Sequence, residues 1–354
     1  MSQQVTQKAL VIPCAEAPYT FLTRPVPTPG VGDVLVKIEG IGLNPAEWKI
    51  TKGVMLIKEY PFMSGTDGAG TVIAIGKDVK GVSKGDRVLF QGYFEADRST
   101  HQEYVLVYAD LLAKLPPTIS SLEAASIPLA LASAALGLAI PYKPTERSGA
   151  GLKPFWDDDA EGYYHGQAIV ILGGSSSIGQ FVIQIAKYMG YSPIITTSSL
   201  RHKEFLESLG ATHVLDRFDD VALGVKESLG GKELKLAYDA VHTPITQAEV
   251  DLLSPGGQIV SAWEVPKDSL DLSGNRRAID YYGTVHWYKD LGKAMYAKLG
   301  AFLESGVIQP NRVEKLPDGL SGIVGGLKRL EENQVSGVKL VVDPGETPLA
   351  AGSS

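Results

Sequence analysis

Up to about residue 115 the chain runs in short apolar stretches, KALVIP, DVLVKIEGIGL, GAGTVIAIG, DRVLF and EYVLV, broken by turn signals such as Pro29-Gly30 and Lys84-Gly85-Asp86. Short runs rich in β-branched residues and bounded by glycine and proline predict strands, so this region reads as a β-rich domain. From Ser120 the texture changes to an alanine and leucine run, SLEAASIPLALASAALGLAI, in which Ser120 and Glu123 have the spacing of a helix capping box. Residues 141–166 are polar, contain prolines and carry aspartate at 157, 158 and 159, which predicts an irregular excursion. Beyond them QAIVILGG, SIGQFVIQIAKYMG, SPIITTS, RHKEFLESLG, ATHVLD, LKLAYDAV, TQAEVDLLS and GGQIVSAW alternate strand and helix patterns. That alternation predicts a doubly wound parallel sheet with helices on both faces, a Rossmann-like α/β domain. A helical stretch near 320–332 and a strand, GVKLVVD, read as a return to the first domain.

Composition narrows the partners. A chain of 354 residues with 44% hydrophobic content can bury two cores. A net charge of −7 without long runs of like charge argues against nucleic acid or an anionic membrane as the main partner. The single cysteine, Cys14, excludes an internal disulfide and any thiolate-rich metal site. The N-terminus has neither a basic start nor a long apolar core, and no stretch is read as reaching the roughly 18 apolar residues of a membrane span. The expectation is a soluble, cytoplasmic protein.

Strand AIVIL runs directly into Gly173-Gly174-Ser175-Ser176-Ser177-Ile178-Gly179, followed by a helix. Bare amides at a helix N-terminus suit a pyrophosphate, because the helix dipole favours negative charge there. With Gly174 and Gly179 as outer glycines, Ser176 replaces the middle glycine of the dinucleotide fingerprint, and its hydroxyl could donate instead. The competing reading is an ordinary turn capped by serines. An acidic residue at the end of the second strand would select NAD. Here that strand ends in Ser198 and Ser199, followed by Arg201, His202 and Lys203, which favours NADPH, although Arg201 and Lys203 also suit solvated positions on a helix.

These pieces resemble the medium-chain dehydrogenase/reductase superfamily over nearly the whole chain. The matching segments, in order, are GIGLNPAEWK (40–49), PFMSGTDGAGTV (61–72), KGDRV (84–88), the glycine turn, YDAV (238–241), SPGGQIV (254–260) and VSGVKLVV (335–342). The resemblance implies a GroES-like catalytic domain over 1–125 completed by 305–354, a Rossmann NADPH-binding domain over 126–304, and an active-site cleft at their interface. Zinc alcohol dehydrogenases of this superfamily carry a cysteine ligand and a His-Glu pair where this chain has Asn44, Thr66 and Asp67, so no metal is expected. Asn44-Pro45 with Lys49 resembles the zinc-free branch of quinone oxidoreductases, 2-alkenal reductases and fungal trans-acting enoyl reductases. In the fungal group the cofactor contacts map onto residues 44–47, with Asn44 and Pro45; Ser175, Ser176, Ser177 and Ile178; residues 199–202; Arg217; and the loop near Ala262 and Trp263. Gly174, Ser198, Arg201, Lys203 and Val241 of YDAV are further candidate cofactor contacts. Arg217 stands where relatives often carry tyrosine, and a cation there would strengthen phosphate recognition.

The activity so implied is hydride delivery to the activated C=C of an α,β-unsaturated carbonyl or a quinone, with NADPH as cofactor. Lys49 is the candidate donor or positioning group for the developing enolate and Asn44 the group orienting nicotinamide or substrate, although a lysine beside Trp48 also fits a surface position. Asp67 reads as structural. Tyr281, Tyr282, Trp287 and Tyr288 suit either an apolar cleft or an interface. His101 and His286 have no spacing partner and are not read as ligands. Two further readings stay open: a reductase taking its substrate from a carrier protein, and a non-catalytic NADPH-binding protein. The assembly expected is a monomer or homodimer.

Overall fold

The computed structural model describes residues 5–52, 57, 59–241 and 244–348. They divide into two compact units, one of Met1–Leu129, Gly292–Glu304 and Pro310–Ser354, the other of Ala130–Leu291 and Ser305–Gln309. Gly292–Glu304, which the sequence reading gave to the nucleotide domain, groups with the first unit. Two observations explain why: Lys293 pairs with Asp110 at 2.7 Å, and Gly300 lies against the Lys114 carbonyl.

The first unit is built around the strand Asp33–Gly42. Its alternating residues Val34, Val36 and Ile38 enter a core shared with Phe90, Val105, Leu327 and Leu340. Each such buried side chain stabilises the unit by roughly 1.5–3 kcal/mol. The strand order is Val313–Lys315, Lys339–Val342, Asp33–Gly42, Asp67–Ile75, Arg87–Gln91, Leu112–Lys114, with Tyr104–Tyr108 also pairing on Asp33–Gly42. Both ends of the chain therefore meet in one sheet. Register then positions the chemistry, because Gly42 faces Asp67 on one side and Val341 on the other. Gly42 must be small, since a Cβ there would overlap the Ala125 carbonyl and crowd Asp67 Cβ and Lys339 Cε, each at 3.1 Å.

The second unit holds a parallel sheet in the order His213–Asp216, Ile194–Ser198, Ala168–Leu172, Leu234–Asp239, Gln258–Ser261, Arg277–Asp280. This is the expected doubly wound Rossmann arrangement, and the strand Ala168–Leu172 is buried along its whole length because helices cover both faces. The registers align Leu172, Asp239, Ser261 and Asp280 at the carboxyl edge, with Ser198 beside Asp216. Residues 141–166 form no helix or strand, as expected, but they are pinned. Ala150, Gly151 and Leu152 donate to the carbonyls of Gly137, Ile140 and Leu138, and Tyr164 stacks on Tyr191.

One expectation is corrected. Ser121–Ala139 is long and apolar enough to cross a membrane by length and composition, but 83% of its most apolar window is buried inside the protein, as in a core helix.

Candidate functional site

At the carboxyl edge of the parallel sheet the strand Ala168–Leu172 turns at Gly173, whose φ of +80° is a left-handed conformation open to glycine. Gly174 has ordinary φ but no room: a Cβ would overlap the Thr196 hydroxyl. At Gly179 a Cβ would strike the Gly173 carbonyl, so the helix Ser177–Tyr188 can begin against the turn only with glycine there. Gly173, the residue before the outer glycine Gly174, thus makes the turn itself. Ser176 is the helix N-cap, its Oγ accepting the Gly179 amide at 3.0 Å, so its lone pair serves the capping reading while its proton stays available. Ser175, Ser177 and Ile178 follow the turn at the helix N-terminus, where first-turn amides lack intrahelical acceptors. This cradle fits a pyrophosphate.

The second strand ends in Thr197 and Ser198. Thr197 Oγ1 accepts the Gly173 amide at 3.0 Å and locks the turn. Ser198 Oγ is buried with no hydrogen-bond partner among the described residues, an arrangement expected of a hydroxyl reserved for a ligand. Arg217 is exposed, its amide donating to the Ser198 carbonyl at 3.1 Å and its guanidinium 4.7 Å from the Phe218 ring. Ser199 precedes a short 3-10 turn, its carbonyl accepting the His202 amide at 3.0 Å, and Arg201 Nε lies 3.2 Å from His202 Nε2. Lys203 is exposed and faces Glu207 at 3.9 Å along the same helix, the solvated alternative for that residue. Val241 is half-exposed beside Gly173, and its amide donates to Asp239 Oδ1 at 2.9 Å. Ser261 bridges Asp239 Oδ2 (3.0 Å) and the Trp263 amide (3.1 Å), which fixes the loop carrying Ala262 and Trp263. Burial raises the Asp239 carboxyl to about 6 against these hydrogen bonds.

The first unit contains a second constellation. Asn44 starts the helix Pro45–Thr51, with Pro45 exposed in its first turn. The Asn44 carboxamide is turned inward: Nδ2 donates to Asp67 Oδ2 (2.9 Å) and Thr66 Oγ1 (3.2 Å), while Oδ1 accepts from Lys339 Nζ (2.6 Å). Lys339 also donates to Asp67 Oδ2 at 2.7 Å, and Asp67 Oδ1 takes the Leu129 amide at 2.6 Å. All three side chains are almost inaccessible. The Asn44 carboxamide is thus engaged by the protein itself. Lys339 was missed, and its signal was a charged residue inside the apolar run GVKLVV. Lys49, one turn into the helix, is half-buried, has its Nζ 5.8 Å from the Trp48 ring, and has its pKa lowered by burial.

Beside this cluster Glu47 is fully buried, Oε2 accepting the Asn44 amide at 2.8 Å and Oε1 facing the Thr66 amide at 3.3 Å. Burial outweighs those bonds and, with Asp67 nearby, lifts its carboxyl to about 7. His101 Nε2 lies 3.8 Å from Glu47, and burial depresses this imidazole to about 3.

Residues 30–117 match the family model for the alcohol dehydrogenase GroES-like domain and 177–273 that for zinc-binding dehydrogenases. The trans-enoyl reductase resD of Aspergillus sclerotiorum is 30% identical over 346 residues, 90% of this chain and 94% of its own. The chain belongs to the medium-chain dehydrogenase/reductase superfamily. A 2-methylene-furan-3-one reductase of Solanum lycopersicum is likewise 30% identical, over 88% of this chain and 71% of its own length. An alcohol dehydrogenase superfamily structure from Novosphingobium aromaticivorans shares the fold with a TM-score of 0.78 at 24% identity, covering 96% of this chain and 99% of its own. As a reductase of this superfamily the protein works on a small molecule with a nicotinamide cofactor, which the cradle at residues 173–179 fits. The cation between Asn44 and Asp67 is the Lys339 ammonium, and among the described residues no three histidine, cysteine or acidic side chains gather into a metal site.

Proposed function

We propose that the protein is an NADPH-dependent, zinc-independent reductase of activated C=C bonds in α,β-unsaturated carbonyls and quinones. The observation that carries this reading is the Lys339 ammonium held between Asn44 and Asp67, which supplies the first unit with a fixed cation of its own chain. Without a Lewis acid to polarise an isolated carbonyl, a conjugated alkene is the electrophile best matched to hydrogen-bond donors alone. The names of the tomato and Aspergillus relatives point to the same bond type.

The cofactor supplies the hydride when bound. The amides of Ser175, Ser177 and Ile178 and the Ser176 hydroxyl hold the pyrophosphate, with Gly174 and Val241 bounding the turn. Ser198, Ser199, Arg201 and Arg217 take the adenosine side, Arg217 meeting the 2′-phosphate with Lys203 as an outlying charge. Ala262 and Trp263 bound the cofactor on the next strand loop. Lys49 donates to the developing enolate oxygen, its burial strengthening that interaction, and Asn44 acts as a positioning residue by fixing the start of the helix that carries Pro45 and Lys49. A carrier-tethered substrate is the second reading, favoured by the identity to a trans-enoyl reductase. The test is NADPH against NADH with a panel of enals, enones and quinones, free and carrier-linked, on metal-analysed protein; activity with NADH alone, or with stoichiometric zinc, would overturn the proposal.

A further inference from the structure

Hydride transfer needs the nicotinamide held still, yet the loops that hold a cofactor at the end of a parallel sheet have few contacts of their own to fix them. In the second unit three adjacent strands end in register: Leu172 faces Asp239, and Asp239 faces Ser261. Each strand runs into a segment read above as a cofactor contact, the glycine turn after Leu172, Val241 after Asp239, and Ala262 with Trp263 after Ser261. Asp239 ends the middle strand of the three and is almost inaccessible.

Both of its carboxyl oxygens are engaged, and they lead to different loops. Oδ1 accepts the Val241 amide at 2.9 Å, and Val241 stands against the glycine turn, since a Cβ on Gly173 would overlap its Cγ2. Oδ2 accepts the Ser261 hydroxyl at 3.0 Å, and Ser261 Oγ in turn accepts the Trp263 amide at 3.1 Å. Ser261 is inaccessible, so bulk water does not compete for either of its bonds. The Ala240 amide donates to the Leu172 carbonyl at 3.0 Å and keeps the first two strand ends in step. An ionised carboxylate suits this place because it accepts at both oxygens and donates at neither.

We propose that Asp239 is a positioning residue for the cofactor: one carboxylate, through Val241 on one oxygen and through Ser261 to Trp263 on the other, holds two strand-end loops in the geometry that binds NADPH. The role belongs to the ionised form. A proton turns one oxygen into a donor and removes the charge that strengthens both bonds. Burial raises this carboxyl to about 6, against its bonds to Val241 and Ser261. Among the described residues, the titratable groups facing it are Glu249 of the helix Gln247–Asp251, whose like charge adds to the rise, and the Tyr238 and Tyr281 hydroxyls, which burial keeps protonated. Cofactor binding is therefore at full strength well above about 6 and weakens as the pH falls through that value.

The inference rests on the reading of Val241, Ala262 and Trp263 as cofactor contacts, and the test separates the two. NADPH dissociation constants are measured by fluorescence titration from about pH 5 to about pH 8 for wild type, Asp239→Asn, Ser261→Ala and the double variant. Each variant is read as a ratio to wild type at the same pH, which cancels titration of the cofactor's own 2′-phosphate. Hydrogen exchange of the cofactor-free proteins is followed at peptides carrying Val241 and Trp263. Asparagine keeps the shape of aspartate without its charge, so Asp239→Asn is expected to bind about ten-fold more weakly near pH 7.5, the ratio closing to within about two-fold near pH 5, where the wild type carries the same extra proton. Ser261→Ala removes one hydroxyl and leaves the Val241 bond intact, so it carries the test if Asp239→Asn does not fold; it is expected to weaken binding about three-fold at high pH. The double variant binds no more weakly than Asp239→Asn alone, because both changes break one chain of bonds. Exchange at Trp263 quickens in every variant. A ratio that is the same at every pH, single effects that multiply in the double variant, or loop exchange unchanged from wild type overturns the positioning role. Quickened exchange with equal NADPH constants in all four proteins overturns the cofactor reading of these loops, and the inference with it.

Discussion

The Glu47–His101 pair makes the pH dependence of stability calculable. Glu47 has its carboxyl raised from 4.5 to about 7, and His101 its imidazole lowered from 6.5 to about 3. For Glu47 the folded state holds the proton more tightly, so its contribution is fully present below pH 4.5 and is lost as pH rises to 7. At about 1.4 kcal/mol per unit, that loss is about 3 kcal/mol. For His101 the unfolded state holds the proton more tightly, so its contribution is fully present above pH 6.5 and is lost as pH falls towards 3. Between pH 4.5 and 6.5 the two slopes have opposite sign and similar size, so the pair leaves the wild-type curve nearly flat. Each single variant unmasks the other slope. Relative to wild type, Glu47→Gln gains stability by about 1.4 kcal/mol per pH unit across this window, and His101→Asn loses it at the same rate. Urea denaturation of the three proteins at half-unit steps from pH 4 to 8, read as differences from wild type, cancels every other titrating group. Parallel curves for wild type and both variants would refute the reasoning.

Lys339→Met leaves Asp67 buried without its cation and is expected to cost about 3–5 kcal/mol, read from the urea midpoint, with the Lys339→Met/Asp67→Asn double variant recovering much of it. Arg217→Ala should raise the dissociation constant for NADPH about 10- to 100-fold and leave that for NADH within about two-fold, measured by fluorescence titration, because the contact proposed for Arg217 is with the 2′-phosphate alone. Gly174→Ala places a methyl group on the Thr196 hydroxyl and is expected to cost about 1–3 kcal/mol and to weaken both cofactors together. Lys49→Met should lower kcat about 10²-fold or more with little change in Tm, since the side chain is half-buried at a helix surface.

Much of this was legible in the sequence because the relevant signals are local. The run AIVIL followed by glycines and a 12-residue helix declares a βαβ unit, and SPIITTS ending without a carboxylate is read one residue at a time. The first-unit cluster is different in kind. Asn44, Asp67 and Lys339 are brought together by antiparallel registers, Gly42 opposite Asp67 and opposite Val341, and a separation of 295 residues between Asn44 and Lys339 carries no periodic signature. His101 has no partner at ligand spacing in the sequence; Ser64 lies 37 residues from it and Glu47 lies 54. The role of Gly173 against Gly174 turns on a single φ angle, which a glycine doublet leaves open. The excursion at 141–166 was correctly read as irregular; its anchoring comes from backbone hydrogen bonds, which side-chain composition does not encode.

The central claim is tested most directly by one measurement: purified protein shown by metal analysis to be free of zinc is mixed with NADPH and a conjugated enone, and the loss of nicotinamide absorbance is followed alongside product identity. The account predicts stoichiometric formation of the saturated ketone at a rate unaffected by chelator. Formation of the allylic alcohol, or activity that appears only on adding zinc, would contradict it.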